Sequence, residues 1–216
     1  MVRKLLLAAV ATAALCPPAA HAANHGFYVS LDAGAVSEDL GGPYSARPLH
    51  GLLGLFQQVD PSPDLGWAVF GAAGVRFDGP FRIEGEIGYR ANTLSSLSDI
   101  DQLSVMANVL YDWQLGDRFA LSFGGGLGMD RISWTGEEFT FARVDDDDWC
   151  FAVQGIVAAS YRLSAHTAID VKYRYMRPMD VDLHALVDGE SPRDYTFTAS
   201  DAQTHTISLG LTFDLD

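Results

Sequence analysis

Apolar and polar residues alternate along most of this chain. Eight runs carry the period-2 pattern of strands with two unlike faces, at about 27–36, 65–77, 81–91, 102–113, 118–130, 149–163, 167–177 and 204–215. In the third run Phe81, Ile83, Gly85, Ile87, Tyr89 and Ala91 oppose Arg82, Glu84, Glu86, Gly88 and Arg90. In the seventh, Ile169, Val171, Tyr173 and Tyr175 oppose Asp170, Lys172, Arg174 and Met176. The eighth sets Ile207, Leu209, Leu211, Phe213 and Leu215 against Thr206, Ser208, Gly210, Thr212 and Asp214. Within each run, every charge between the first and last member of the apolar face falls on the polar face. The third and seventh runs weigh most, because each holds several charges.

Most of these runs span ten residues or more, against about 5–6 for strands of soluble proteins. Ten residues at about 3.3 Å each, tilted by about 40°, rise roughly 25 Å, the height of the apolar belt of an outer-membrane barrel. The aromatics decide which face is outside. Phe27, Phe77, Phe81, Trp113, Phe119 and Phe213 gather at one end of the runs. Trp67, Tyr89, Trp149, Phe151, Tyr173 and Tyr175 approach the other, and Ala73, Val105, Ala107, Val109 and Val157 fill the middle. Two aromatic girdles around an aliphatic band are what two bilayer interfaces select. A soluble barrel with an apolar interior has no reason to sort them so.

The connections agree. Asp78-Gly79-Pro80, Leu115-Gly116-Asp117 and Ser164-Ala165-His166 are tight, whereas the alternate connections, about 37–64, 92–101, 131–148 and 178–203, are long. The pattern predicts an all-β fold, an eight-stranded antiparallel up-and-down transmembrane β-barrel with short turns and both termini on the periplasmic side.

Composition adds an address. Arg3 and Lys4, the apolar run Leu5–Leu15 and Ala20-His21-Ala22 have the layout of a secretory signal peptide. Residues 1–22 are expected to be removed, leaving 23–216 as the barrel domain. Leu15 stands where a lipoprotein signal places a small residue, so Cys16 is not expected to be lipidated. The chain has 14 Lys+Arg and 28 Asp+Glu, and loss of Arg3 and Lys4 makes the mature part more acidic still, which excludes nucleic acid as a partner. Cys150 is then the sole mature cysteine, expected as a small strand residue.

Taken together, the runs resemble the OmpA/opacity-protein-like family of small outer-membrane β-barrels. The likeness rests on Gly26-Phe27-Tyr28-Val29, on Tyr161-Arg162-Leu163 leading through a tight turn to Asp170-Val171-Lys172-Tyr173-Arg174-Tyr175, and on His205-Thr206-Ile207-Ser208-Leu209-Gly210-Leu211-Thr212-Phe213. Many such barrels end on an aromatic used by the assembly machinery; here Phe213 is followed by Asp214-Leu215-Asp216. The resemblance implies an outer-membrane location and a chain without the peptidoglycan-binding domain of longer relatives.

Candidate chemistry is sparse. Asp32, Arg76, Arg82, Glu84, Glu86, Arg90, Asp112, Asp170, Lys172 and Arg174 would fill the interior with both signs of charge, expected as an ion-pair network because an eight-stranded barrel is only wide enough for side chains. Gly124-Gly125-Gly126-Leu127-Gly128 lacks the following helix of a phosphate loop and is expected to permit curvature or seat a neighbouring aromatic. Glu137, Glu138 and Asp145–Asp148 are expected as a solvated loop tip, with weak divalent-cation binding as the alternative. No Ser–His–acid set is evident: His205 would face lipid and Ser208 the lumen, His50 and His184 lie in loops, and His166 in a periplasmic turn. The expectation is a non-enzymatic, monomeric surface protein without cofactor or metal. It displays acidic loops to an extracellular or host-surface partner and contacts outer-membrane lipid and lipopolysaccharide; the loop aromatics Tyr44, Phe56 and Tyr195 are expected to pack the loops together, with a role as contact anchors the alternative. A narrow porin-like channel is the second reading and a lipid A-modifying enzyme the third.

Overall fold

The computed structural model describes residues 26–39, 65–95, 98–136, 142–143, 145–179, 181–187, 193–199 and 202–215. In chain order the strands are β1 (Gly26–Asp39), β2 (Gly66–Arg76), β3 (Phe81–Ser95), β4 (Ser98–Gln114), β5 (Phe119–Gly136), β6 (Ala142–Arg143), β7 (Asp145–Arg162), β8 (Thr167–Met179), β9 (Val181–Val187), β10 (Arg193–Ala199) and β11 (Gln203–Asp214). Eight of them close a barrel in the order β1-β11-β8-β7-β5-β4-β3-β2, and β10-β9-β6 make a separate three-stranded sheet. Every pairing in the barrel is antiparallel, and β1 closes against β11 from Tyr28 opposite Asp214 to Asp39 opposite Gln203. Closure leaves no strand edge, the condition for a sheet to cross lipid with its backbone satisfied.

Burial alternates along the strands with the phase the side chains dictate. On β3, Arg82, Glu84, Glu86 and Arg90 are buried, whereas Phe81, Ile83 and Ile87 are exposed. On β8, Asp170, Lys172 and Arg174 are buried and Val171 and Tyr173 exposed; on β11, Ser208 is buried and Ile207 and Leu209 exposed. Ionic groups line the lumen and hydrocarbon coats the outside, the reverse of a soluble barrel. The girdles are there too: Phe27, Phe77, Phe81, Trp113 and Phe119 are exposed at the turn end, and Trp67, Trp149, Phe151 and Tyr173 toward the other. Tyr111, Phe123 and Tyr161 also face out and thicken the turn-end girdle.

The tight connections hold. Gly79 has φ of 145° between Asp78 and Pro80, a conformation costly for any residue with a Cβ. At the opposite end the strands run further than the apolar pattern. β3 continues to Ser95 and β4 begins at Ser98, so the expected 92–101 loop is a tight connection. Asp145–Asp148 are part of β7, paired with Ile132–Thr135 of β5, and are not a loop tip. The 178–203 segment contains β9 and β10 as an antiparallel hairpin, Val181 opposite Ala199 through Val187 opposite Arg193. Residues 1–22, most of the 37–64 segment with Tyr44, His50 and Phe56, and Glu137 and Glu138 lie outside the described residues.

Candidate functional site

The polar lumen is where the molecule concentrates its chemistry. At its centre Arg174 donates from Nε and NH2 to Glu86 Oε2 (3.0 and 2.8 Å), from NH2 to Asp32 Oδ2 (3.0 Å) and from NH1 to Ser208 Oγ (2.7 Å). Lys172 Nζ donates to Asp32 Oδ2 at 3.1 Å and Ser30 Oγ at 3.3 Å. From Glu86 the network continues across the barrel. Gln154 Nε2 donates to Glu86 Oε1 (3.1 Å) and Asn108 Oδ1 (2.7 Å), Asn108 Nδ2 to Glu84 Oε1 (3.2 Å), and Tyr28 OH to Glu84 Oε2 (2.6 Å).

The remaining two strands complete this belt. Phe70 of β2 lies under the Arg174 guanidinium, 4.0 Å from ring centroid to Cζ, and 5.0 Å from that of Arg90. β5 contributes an absence of side chain: a Cβ at Gly126 would collide with the Asn108 carboxamide. The glycine run therefore seats a carboxamide rather than an aromatic there. All eight barrel strands thus meet in one layer, in which Asp32, Glu84 and Glu86 face Lys172, Arg174 and Arg82. Charges so buried are tolerable only when paired and hydrogen-bonded in this way.

On either side of the belt the packing differs. Toward the long connections, Arg90 NH1 lies 4.0 Å from Asp130 Oδ1 and donates to Ser104 Oγ at 3.0 Å. Glu38, Asn92, Gln102 and Asp130 are buried beside them, each with polar atoms lacking a hydrogen-bond partner among the described residues. Buried groups of this kind are commonly satisfied by water in native proteins. Glu38 and Asp130 are not among the expected lumen charges: Glu38 lies two residues beyond the first run, and Asp130 is the last residue of the fifth, past the final outward residue of that run. Toward the turns the lumen opens into a cavity of about 260 Å³ containing Arg76, Arg82, Arg118 and Arg162.

The expected lumen residues are brought together: Arg82 Nε lies 3.2 Å from Asp112 Oδ1, Arg76 pairs with Asp214, and Asp170 accepts from Thr212 Oγ1 at 2.6 Å. Cys150 is buried, its thiol 3.4 Å from the Asp130 carbonyl. The barrel wall separates His205 from Ser208. His205 faces outward, Nδ1 2.8 Å from Tyr173 OH and its ring 5.2 Å from that of Tyr175, while Ser208 is buried against Arg174. His184 and Tyr195 fall on β9 and β10, opposite Thr196 and Ala185 respectively. Among the described residues no group of three or more His, Cys, Asp or Glu side chains is placed to hold a metal.

Comparison with known proteins agrees with this architecture. The outer membrane protein beta-barrel domain family matches residues 5–214. Neisserial surface protein A superposes with a TM-score of 0.62 at 17% identity, covering 88% of this chain and 97% of that one. The outer membrane protein OprG from Pseudomonas aeruginosa gives 0.52 at 16% identity, covering 88% and 96%. A major outer membrane protein from Thermus thermophilus gives 0.55 at 12% identity, covering 87% and 99%. These structures share the fold, and two of the three are named as outer membrane proteins. No curated protein matches the chain.

Proposed function

This chain belongs to the outer membrane protein β-barrel domain family, and from that footing we propose that it is a non-enzymatic scaffold of the bacterial outer membrane that displays its long connections to the exterior. The tight turns face the periplasm in this reading, and the β6-β9-β10 sheet stands on the outer side, built from the β5–β7 and β8–β11 connections. The lipid-facing aromatics meet lipid and, in the outer leaflet, lipopolysaccharide. The acidic connections meet an extracellular partner, since recognition concentrates on loops held by a rigid frame.

One observation carries the reading: the belt crosses the lumen from Arg174 of β8 to Glu86 of β3 and from there to Gln154 of β7, and runs on through Asn108 and Glu84 to Tyr28 of β1. A barrel plugged at its middle anchors and displays; it does not conduct. In planar bilayers the purified protein is expected to give no reproducible openings. An Arg174→Ala/Glu86→Ala variant, stripped of both the charge and the bulk of the belt, is expected to leak.

A narrow channel is the second reading, supported by the buried polar side chains on the outer side of the belt and by the open turn-side cavity. Regular wild-type openings, abolished by bulky lumen substitutions such as Ala158→Trp, would establish it and remove the first.

A further inference from the structure

We propose that the turn-side mouth of the barrel is a binding site for a small oxyanion of the phosphate or carboxylate class, held between Arg118 and Arg162. The cavity there, about 260 Å³, has room for a phosphate-sized group with its hydration, and four arginines line it. Two of the four are committed. Arg76 pairs with Asp214, and Arg82 lies 3.2 Å from Asp112. The lining aspartates are committed as well: Asp112 also accepts from Ser122 Oγ at 2.6 Å, and Asp170 accepts from Thr212 Oγ1 and Ser160 Oγ. Arg118 and Arg162 have no carboxylate partner among the described residues.

Their placement is enforced by the backbone. β5 and β7 pair Phe119 with Tyr161, and the next step of the ladder is Arg162 N–H donating to the Arg118 carbonyl at 2.8 Å. Two like charges directly opposite on adjacent strands repel. In a chain of net charge −14, with acidic residues to spare, the register sets two arginines opposite one another at the lip of a cavity, a juxtaposition that favours a compensating charge. An oxyanion between them supplies it. Each planar guanidinium can present two parallel N–H donors to a phosphate or carboxylate, a geometry that a point-charge lysine does not offer. This site is independent of whether the belt conducts; only its assignment to the periplasmic side rests on the reading above.

The test is titration of inorganic phosphate into the full-length mature protein in octyl glucoside, followed by calorimetry at constant ionic strength with chloride as the competing anion. Saturable binding is expected, weakened at least tenfold in Arg118→Gln/Arg162→Gln, with boiled and unboiled gel mobility unchanged. No saturable heat, or equal binding by the double variant, overturns the proposal. Repeating the titration in phosphatidylglycerol nanodiscs separates the two sources of such a group. Lost phosphate binding there means that lipid headgroups occupy the site; retained binding assigns it to a soluble phosphate.

Discussion

Arg174 satisfies two carboxylates and a hydroxyl from three other strands, and Glu86 takes two of its N–H donors. Removing Glu86 as Glu86→Ala exposes that dependence, because it strands part of a buried guanidinium; breaking such a pair costs about 3–5 kcal/mol. Urea unfolding from lipid vesicles measures it, and a loss under about 1 kcal/mol would show that water replaces the carboxylate freely. Gly88 is constrained by shape instead of charge. A Cβ there would stand 2.7 Å from Phe70 Cδ1 and 2.8 Å from Ser104 Oγ. Gly88→Ala is therefore expected to destabilise by about 1–3 kcal/mol through overpacking. On the outer face Leu209 sits midway between Phe213 and His205 of β11 and is exposed. Leu209→Arg is expected to cost about 2–4 kcal/mol, the penalty for a charge at mid-bilayer on the lipid side of a barrel. The identity of the inward charges is legible in the sequence; their pairing is not. Lys172 and Asp32 are 140 positions apart, and only closure of β1 on β11 makes them neighbours.

At the scale of elements, the faces of β3, β8 and β11 follow directly from alternation, because hydrocarbon against ionic lumen is the sharpest contrast a strand can carry. Strand ends are less legible for the same reason. Above the bilayer the outward positions meet water, so Asp101 and Arg131 are admitted outside and the alternation disappears while the hydrogen-bond ladder goes on, pairing Asp148 with Ile132. The β9–β10 hairpin is open to the same reading of Val181, Leu183, Ala185 and Val187 against Tyr195, Phe197 and Ala199, but its strands of seven residues are too short to cross a membrane and pass for loop. Because that hairpin belongs to the small sheet and not to the barrel, replacing 181–199 with a flexible linker is expected to leave the heat-modifiable gel shift intact. Loss of the shift would mean that the outer sheet is needed for barrel closure.

For the whole molecule, the closed barrel, the two girdles and the strand lengths agree on a membrane-spanning sheet, and the family match is consistent with it. All of this depends on hydrocarbon lying outside and ionic groups inside. Cysteine scanning of residues 205–213 on β11, in a Cys150→Ser background with spin labels in lipid vesicles, reads that arrangement position by position. Accessibility to oxygen, which partitions into lipid, is expected to peak at 207, 209, 211 and 213 and to fall at 206, 208, 210 and 212, with a period of two. The opposite phase, with the lipid-soluble quencher reaching Ser208 and Thr212 while Ile207 and Leu209 are shielded, would contradict the account.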